Sequence, residues 1–90
     1  MEYVTNLMDV SVDPSEWARQ REDEGWHVLS VADHFYTDHR PFPHVWVAVT
    51  AIASATTRVK VTTSFVNNLL RSPVEVAQAA FLLHHVSSGR

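Results

Sequence analysis

Cysteine is absent from this chain of 90 residues, which excludes disulfides, thiolate nucleophiles and cysteine metal sites. Glycine is scarce, with two residues, fewer than the turns of a complete α/β domain usually need. No apolar run is long enough to cross a membrane, and the first residues lack the basic and apolar segments of a signal peptide. We therefore expect a cytoplasmic protein without a membrane partner.

The charged residues give no indication of a polyanionic partner. Seven Lys and Arg residues stand against ten Asp and Glu residues, and the basic residues form no stripe. Nucleic-acid binding is therefore not expected. Hydrophobic residues make up 46% of the chain, which is typical of a globular protein and argues against disorder. Ninety residues allow at most one small domain.

Strand and helix patterns alternate along the chain. Apolar runs rich in β-branched residues predict strands over 3–8, 26–32 and 58–65. Cap, proline and acid signatures at Asp13 and Ser72 predict helices over 13–24 and 73–86, and a segment almost without a polar face predicts a third helix over 44–55. The order βαβαβα implies an α/β fold with parallel strands and right-handed crossovers.

Three such units do not complete a known architecture. A (β/α) barrel has eight units, and a three-stranded parallel sheet leaves both of its edges open. We therefore interpret residues 1–90 as the N-terminal fragment of a larger fold, a chain completed by a partner, or a truncated remnant. The apolar surfaces of helices 44–55 and 73–86 predict burial against another chain.

Two side chains capable of acid/base chemistry, Asp33 and His34, follow the apolar run of the second predicted strand. The carboxyl ends of parallel strands form the ligand-binding mouth of α/β folds. An acid and an imidazole there indicate acid/base chemistry, and a hydrogen-bonded loop anchor is the alternative. A metal cluster with His39 and His44 is disfavoured because the spacing matches neither His-x-His nor His-Glu-x-x-His.

Three stretches carry a family resemblance. Val31-Ala32-Asp33-His34-Phe35 ends the second strand, Val61 to Val66 and Arg71 to Ala80 surround the next strand end, and Ser87-Ser88-Gly89-Arg90 ends the chain. Together they resemble the luciferase-like monooxygenase superfamily, whose members are flavin- and deazaflavin-dependent oxidoreductases. The resemblance implies a partial (β/α) TIM barrel made of three N-terminal βα units. The Asp-His-Phe form is most similar to the branch that uses the deazaflavin coenzyme F-420, and FMN is the alternative cofactor.

The resemblance also implies roles for individual residues. His34 is the implied catalytic acid/base or oxyanion stabiliser for hydride transfer, and Asp33 is implied to bind the cofactor. Ser64 and Phe65 match the position of a non-prolyl cis peptide bond that supports the cofactor ring. The family forms dimers through its second and third helices, which implies a homodimer through 44–55 and 73–86.

Two departures from the family pattern leave other functions open. Tyr36 and its neighbours replace a tryptophan that follows the histidine in the deazaflavin-dependent sugar-phosphate dehydrogenases, and the family's catalytic glutamate and phosphate-binding loops lie beyond the third strand. A non-catalytic remnant or oligomerisation module is therefore the alternative to the enzyme. A metal-dependent hydrolase fragment is a third, which the histidine spacing disfavours.

Overall fold

Strands and helices alternate along the chain, as the sequence predicts. The computed structural model describes residues 1–33, 36–37, 40–65 and 71–90, apart from the side chains of residues 36, 37, 40, 41 and 65. The elements, in chain order, are β1 (Val4–Leu7), α1 (Pro14–Asp23), β2 (Val28–Ala32), β3 (Tyr36–Thr37), β4 (Arg40–Pro41), α2 (Val45–Ala55), β5 (Lys60–Phe65) and α3 (Pro73–Val86).

β1, β2 and β5 form one parallel sheet in the order β1-β2-β5, which confirms the predicted α/β fold class. In the register of this sheet Asn6 lies beside Ser30, and Ser30 beside Thr62. The sequence did not predict the small antiparallel pair β3–β4. Its strands are two residues long, too short for a period-two pattern to be recognised.

The helix ends follow their local sequence signals. The Asp13 side chain caps α1 by accepting a hydrogen bond of 3.0 Å from the Ser15 N–H. The Ser72 hydroxyl caps α3 by accepting one of 3.1 Å from the Glu75 N–H. Gly25, with φ +95°, follows the end of α1, because a residue without a side chain adopts this left-handed conformation at little cost.

The core lies between one face of the sheet and the helices. Its buried aliphatic side chains are contributed by all three parallel strands or their ends and by α2: Leu7, Leu29, Val31, Val45, Val49, Ile52 and Val59. α2 packs against α1, α3, β2 and β5, which explains why its sequence is apolar around most of its circumference. α3 behaves differently, since none of its described residues is buried.

The opposite face of the sheet, which we call the open face, carries side chains that alternate with those of the core. Asn6, Thr62 and Ser64 are exposed there, and Ser30 lies between them. Among the described helices, none is long and apolar enough to cross a membrane.

Candidate functional site at the carboxyl end of the sheet

Asp33 leaves the carboxyl end of β2 and forms a two-pronged ion pair with Arg71, which stands just before α3. Arg71 Nη2 lies 3.1 Å from Asp33 Oδ1, and Arg71 Nε lies 3.3 Å from Asp33 Oδ2. The Asp33 side chain is 1% exposed and that of Arg71 11%. The hydrogen bond to Asp33 raises the pKa of Arg71 against the lowering effect of burial. The pair therefore joins the ends of two loops through fixed, charge-assisted contacts.

His44 extends this pair to the beginning of α2. Its Nε2 lies 3.4 Å from Arg71 Nη1, and its Nδ1 lies 3.5 Å from the Val47 N–H that it caps. A neutral imidazole has one acceptor nitrogen and one N–H. Because both partners of His44 are donors, a neutral His44 accepts from one of them at a time, either the helix cap or the guanidinium.

A second group of polar side chains lies on the open face, with one member from each parallel strand. We call Asn6, Ser30 and Ser64 the Asn6 cluster. The Ser64 hydroxyl lies 3.0 Å from Asn6 Oδ1 and 3.3 Å from the Ser30 hydroxyl, and the Ser30 hydroxyl also bonds to Asn6 Oδ1. Asn6 and Ser64 each stand one residue before the end of their strand, so the cluster lies just below the mouth.

A comparison of the sequence with models of protein families shows which family has this fold and site. The family model described as luciferase-like monooxygenase matches residues 13–90, from the cap of α1 to the last residue. The chain belongs to the luciferase-like monooxygenase family. A search of curated proteins found no match. The resemblance seen in the sequence is confirmed at the level of this family, whose members usually bind flavin-type cofactors.

The predicted site residues of this luciferase-like chain fall into different places. His34 lies outside the described residues, and so does the side chain of Phe65. Asp33 is buried against Arg71, whereas Ser64 belongs to the Asn6 cluster. Within the described residues no hydrogen bond joins Asp33 to Ser64, so the two predicted cofactor residues belong to separate polar groups.

The cis peptide bond that the resemblance implies between Ser64 and Phe65 stays a prediction. No cis bond is found among the described residues, and the side chain of Phe65 is not one of the described parts. A non-prolyl cis bond costs about 3 to 4 kcal/mol and needs surrounding structure to enforce it. Here Phe65 keeps its place in the sheet beside Ala32, after a register irregularity between Val31 and Ala32.

No role is predicted for Arg71 from the sequence, although the sequence does contain a signal for it. Arg71 directly precedes the Ser72 cap of α3, and it follows the loop that leaves β5. In a parallel α/β fold this position is at the carboxyl end of the sheet, close to the residue that ends the neighbouring strand. Among the described residues, no three His, Asp or Glu side chains converge as metal ligands would.

Two further polar contacts hold the opposite, amino end of the luciferase-like fold. The Glu22 carboxylate accepts hydrogen bonds from the backbone N–H groups of Thr57, Arg58 and Val59 at 3.2, 2.7 and 3.0 Å. Burial would raise the pKa of Glu22, but these N–H groups hold it below its ordinary value. Glu22 therefore fixes the turn that leads into β5.

The Arg90 guanidinium closes the same end of the fold. It donates to the carbonyl oxygens of Ala53, Thr56 and Val59 at 2.9, 3.0 and 3.0 Å, respectively. It also donates to the Ser87 carbonyl oxygen at 2.8 Å and to the Thr56 hydroxyl at 3.0 Å. The first two carbonyls lie at the end of α2, where a cation is favourable. The Arg90 carbonyl accepts from the Val61 N–H at 3.1 Å.

Proposed function

We propose that this chain supplies the first three βα units of a flavin- or deazaflavin-dependent luciferase-like oxidoreductase, with hydride transfer at the carboxyl end of its parallel sheet. Residues 1–90 are then the N-terminal part of a (β/α) barrel whose interior begins at the open face. Membership of the family and the parallel β1-β2-β5 order support this proposal.

The observation that carries the proposal is the buried ion pair between Asp33 and Arg71. A buried ion pair is weak evidence for stability, because the loss of hydration offsets much of the attraction. Its place matters more, since (β/α) barrel enzymes bind their ligands at the carboxyl ends of the strands. The pair holds Asp33 at the end of β2, and Asp33 is the neighbour in sequence of His34, the proposed acid/base.

The proposed roles follow from this placement. His34 moves the proton that accompanies hydride transfer, a role that rests on the Asp-His-Phe sequence. Asp33, engaged with Arg71, holds the end of β2 against the cofactor, and Ser64 and Phe65 support the cofactor from β5. The cofactor supplies the redox chemistry, with the deazaflavin coenzyme F-420 as the first candidate and FMN as the alternative.

The described residues at this end fit a flavin-type ring, which is flat and mostly apolar with carbonyl and imide groups along one edge. The Asn6 cluster offers uncharged hydroxyl and amide groups. Met8 and Val10, in the loop that follows β1, are large and exposed apolar side chains at the same end of the sheet. An apolar wall beside an uncharged polar floor is the usual composition of a small-molecule site.

The test is a fluorescence titration of the purified chain with coenzyme F-420 and with FMN. We expect saturable binding in the micromolar range, with the lower Kd identifying the cofactor. His34→Ala and Asp33→Asn should weaken it about tenfold, or 1.4 kcal/mol, because one removes the proposed acid/base and the other weakens the contact of Asp33 with Arg71. His85→Ala, which removes an exposed imidazole near the end of α3, should leave the Kd unchanged. Absence of saturation by the wild-type chain with either cofactor would refute the proposal.

A specific observation also favours association of two copies. α3 exposes large apolar side chains along its length, with Val74 70% and Phe81 82% exposed, and Leu82 is exposed beside them. Val47 of the neighbouring α2 is exposed as well. Contiguous apolar surface of this kind is uncommon on a monomer and marks an association surface. We propose a homodimer through α2 and α3, or completion by another chain through the same helices.

The second candidate function is a non-catalytic association module that uses only this helical surface. Size-exclusion chromatography with light scattering tests it together with the cofactor titration. A discrete dimer that ignores both cofactors would favour the module, whereas a dimer that binds one of them would favour the enzyme. The variant Phe81→Glu should convert the dimer to a monomer, and Glu16→Gln on exposed α1 serves as a charge-changing control.

A further inference from the structure

We infer that Asn6 is a ligand-binding residue, whose side-chain amide donates hydrogen bonds to the carbonyl edge of a flavin-type ring lying over the open face. This inference rests on the proposed function and assigns part of the ring's recognition to β1, a strand in which no site residue is predicted from the sequence.

In the structure the Asn6 amide turns its oxygen toward two neighbouring hydroxyls. Its oxygen accepts from two hydroxyls, those of Ser30 and Ser64. A hydroxyl has one hydrogen to donate, and an amide oxygen has two lone pairs, so this arrangement satisfies the oxygen. The NH2 group of Asn6 points away from both hydroxyls. Within the described residues, no group of the chain accepts a hydrogen bond from it.

Burial of Ser30 restricts the hydroxyl that bonds to the Asn6 amide oxygen. Ser30 is 2% exposed in the centre of the sheet, and its hydroxyl also lies 3.5 Å from the Thr5 carbonyl oxygen. The Ser30 side chain is thus confined by the strand on each side of it. Asn6 itself is exposed, so its two N–H donors are held in place and face the open side of the sheet. Donors fixed in advance lose little freedom when a ligand binds.

The chemistry of the cluster selects the class of acceptor. The side chains that hydrogen-bond within it are uncharged, and the Lys60 ammonium on the same face is paired with Glu2 at 2.7 Å, at the amino end of the sheet. A phosphate or carboxylate is usually recognised by Arg or Lys, often in a two-pronged contact. An amide donor over a neutral surface suits a carbonyl oxygen better, and Met8 and Val10 beyond the end of β1 give the ring an apolar neighbour.

The test compares the Kd of FMN and of riboflavin, which share one ring and differ in the phosphate, for the full chain and three variants. Asn6→Asp keeps an oxygen for both hydroxyls but replaces the donors by a charged acceptor. Ser64→Ala leaves the amide in place and removes one of the groups that orient it. Thr62→Val is the matched control, because Thr62 is exposed on the same face beside Ser30 but donates to the Thr63 carbonyl instead.

We expect Asn6→Asp to raise both Kd values by about tenfold or more and Ser64→Ala by a few-fold, because an acceptor edge then faces a carboxylate or a loosely held amide. Thr62→Val should change neither. Loss of the amide donor should also return the carbonyl stretching frequency of bound riboflavin toward its value in the free ligand. Circular dichroism and thermal melting establish that each variant is folded.

The outcomes separate this inference from the proposed function. Wild-type binding that Asn6→Asp and Ser64→Ala leave unchanged would overturn the role of Asn6 and leave the cofactor proposal standing. A loss confined to FMN would also overturn it, since the contact would then be to the phosphate. Absence of binding by the wild-type chain to F-420, FMN and riboflavin would overturn both.

Discussion

Replacement of Arg71 by methionine should destabilise the fold more than the loss of any other single charge among the described residues. The change leaves the Asp33 carboxylate, 1% exposed, without its two-pronged partner. Removing one member of a buried ion pair costs about 3 to 5 kcal/mol. A domain of this size has a free energy of unfolding of about 5 to 13 kcal/mol. With a urea slope of about 1 to 1.5 kcal/mol/M, the midpoint should fall by about 2 to 5 M.

Urea unfolding followed by circular dichroism measures this loss, and three variants separate its causes. Arg71→Lys keeps a cation but not the planar fork, and should lose about 1 to 2 kcal/mol. Asp33→Asn combined with Arg71→Met should lose less than the sum of the single changes, because the two residues interact directly and the double variant removes both of their charges together. Arg19→Met is the control, since Arg19 is exposed and makes no polar contact within the described residues. If the two variants Arg71→Met and Arg19→Met unfold at the same urea concentration, the ion pair does not contribute the stability assigned to it.

Three further predictions concern the framework. Because the pKa of Glu22 is lowered, its contribution to stability is complete above the ordinary carboxyl pKa of about 4.3 and is lost as the pH falls through the lower folded-state value. Glu22→Gln should therefore lower the free energy of unfolding by about 1 to 2 kcal/mol at pH 7 and flatten the acid limb of a plot of stability against pH. An acid limb that Glu22→Gln leaves unchanged would contradict this. Arg90→Ala should lower the free energy of unfolding by about 2 to 3 kcal/mol because five hydrogen bonds are lost, and Arg90→Lys should recover less than half of it in the same urea assay. Ser72→Ala should cost about 1 kcal/mol through loss of the α3 cap, whereas Ser72→Asp should cost nothing measurable by thermal melting.

The helices were predictable from sequence because their signals are local. Asp13 and Ser72 each accept from a backbone N–H two or three residues ahead, so residue type and spacing contain the whole interaction. The predicted strands were also correct, although β2 and β5 begin two residues later than expected. Where a strand begins and ends depends on the adjacent strand that supplies its hydrogen bonds, and the sequence of one strand does not identify that adjacent strand.

The candidate site was predictable only in part, because its contacts join residues far apart in the chain. Asp33 was placed correctly at the end of a buried strand, but its partner Arg71 is 38 residues away. The same holds for Asn6 and Ser64, which are 58 residues apart and meet only because β2 lies between their strands. The strand order brings these elements side by side, but the register aligns Ser30 with Thr62 rather than Ser64, and Asp33 and Arg71 lie outside the strands. Neither contact therefore follows from the register alone.

The two ends of the sheet satisfy their charges in different ways, and this difference bears on function. At the amino end, Glu22 and Arg90 bind backbone groups of residues 53–59 and Ser87, so each charge is used to fix a turn. At the carboxyl end, Arg71 is shared between the side chains of Asp33 and His44, so its charge joins the beginnings of two helices to the end of β2. In (β/α) barrels the amino end serves stability and the carboxyl end serves chemistry. We therefore place the proposed reaction beside Asp33 rather than beside Glu22 or Arg90.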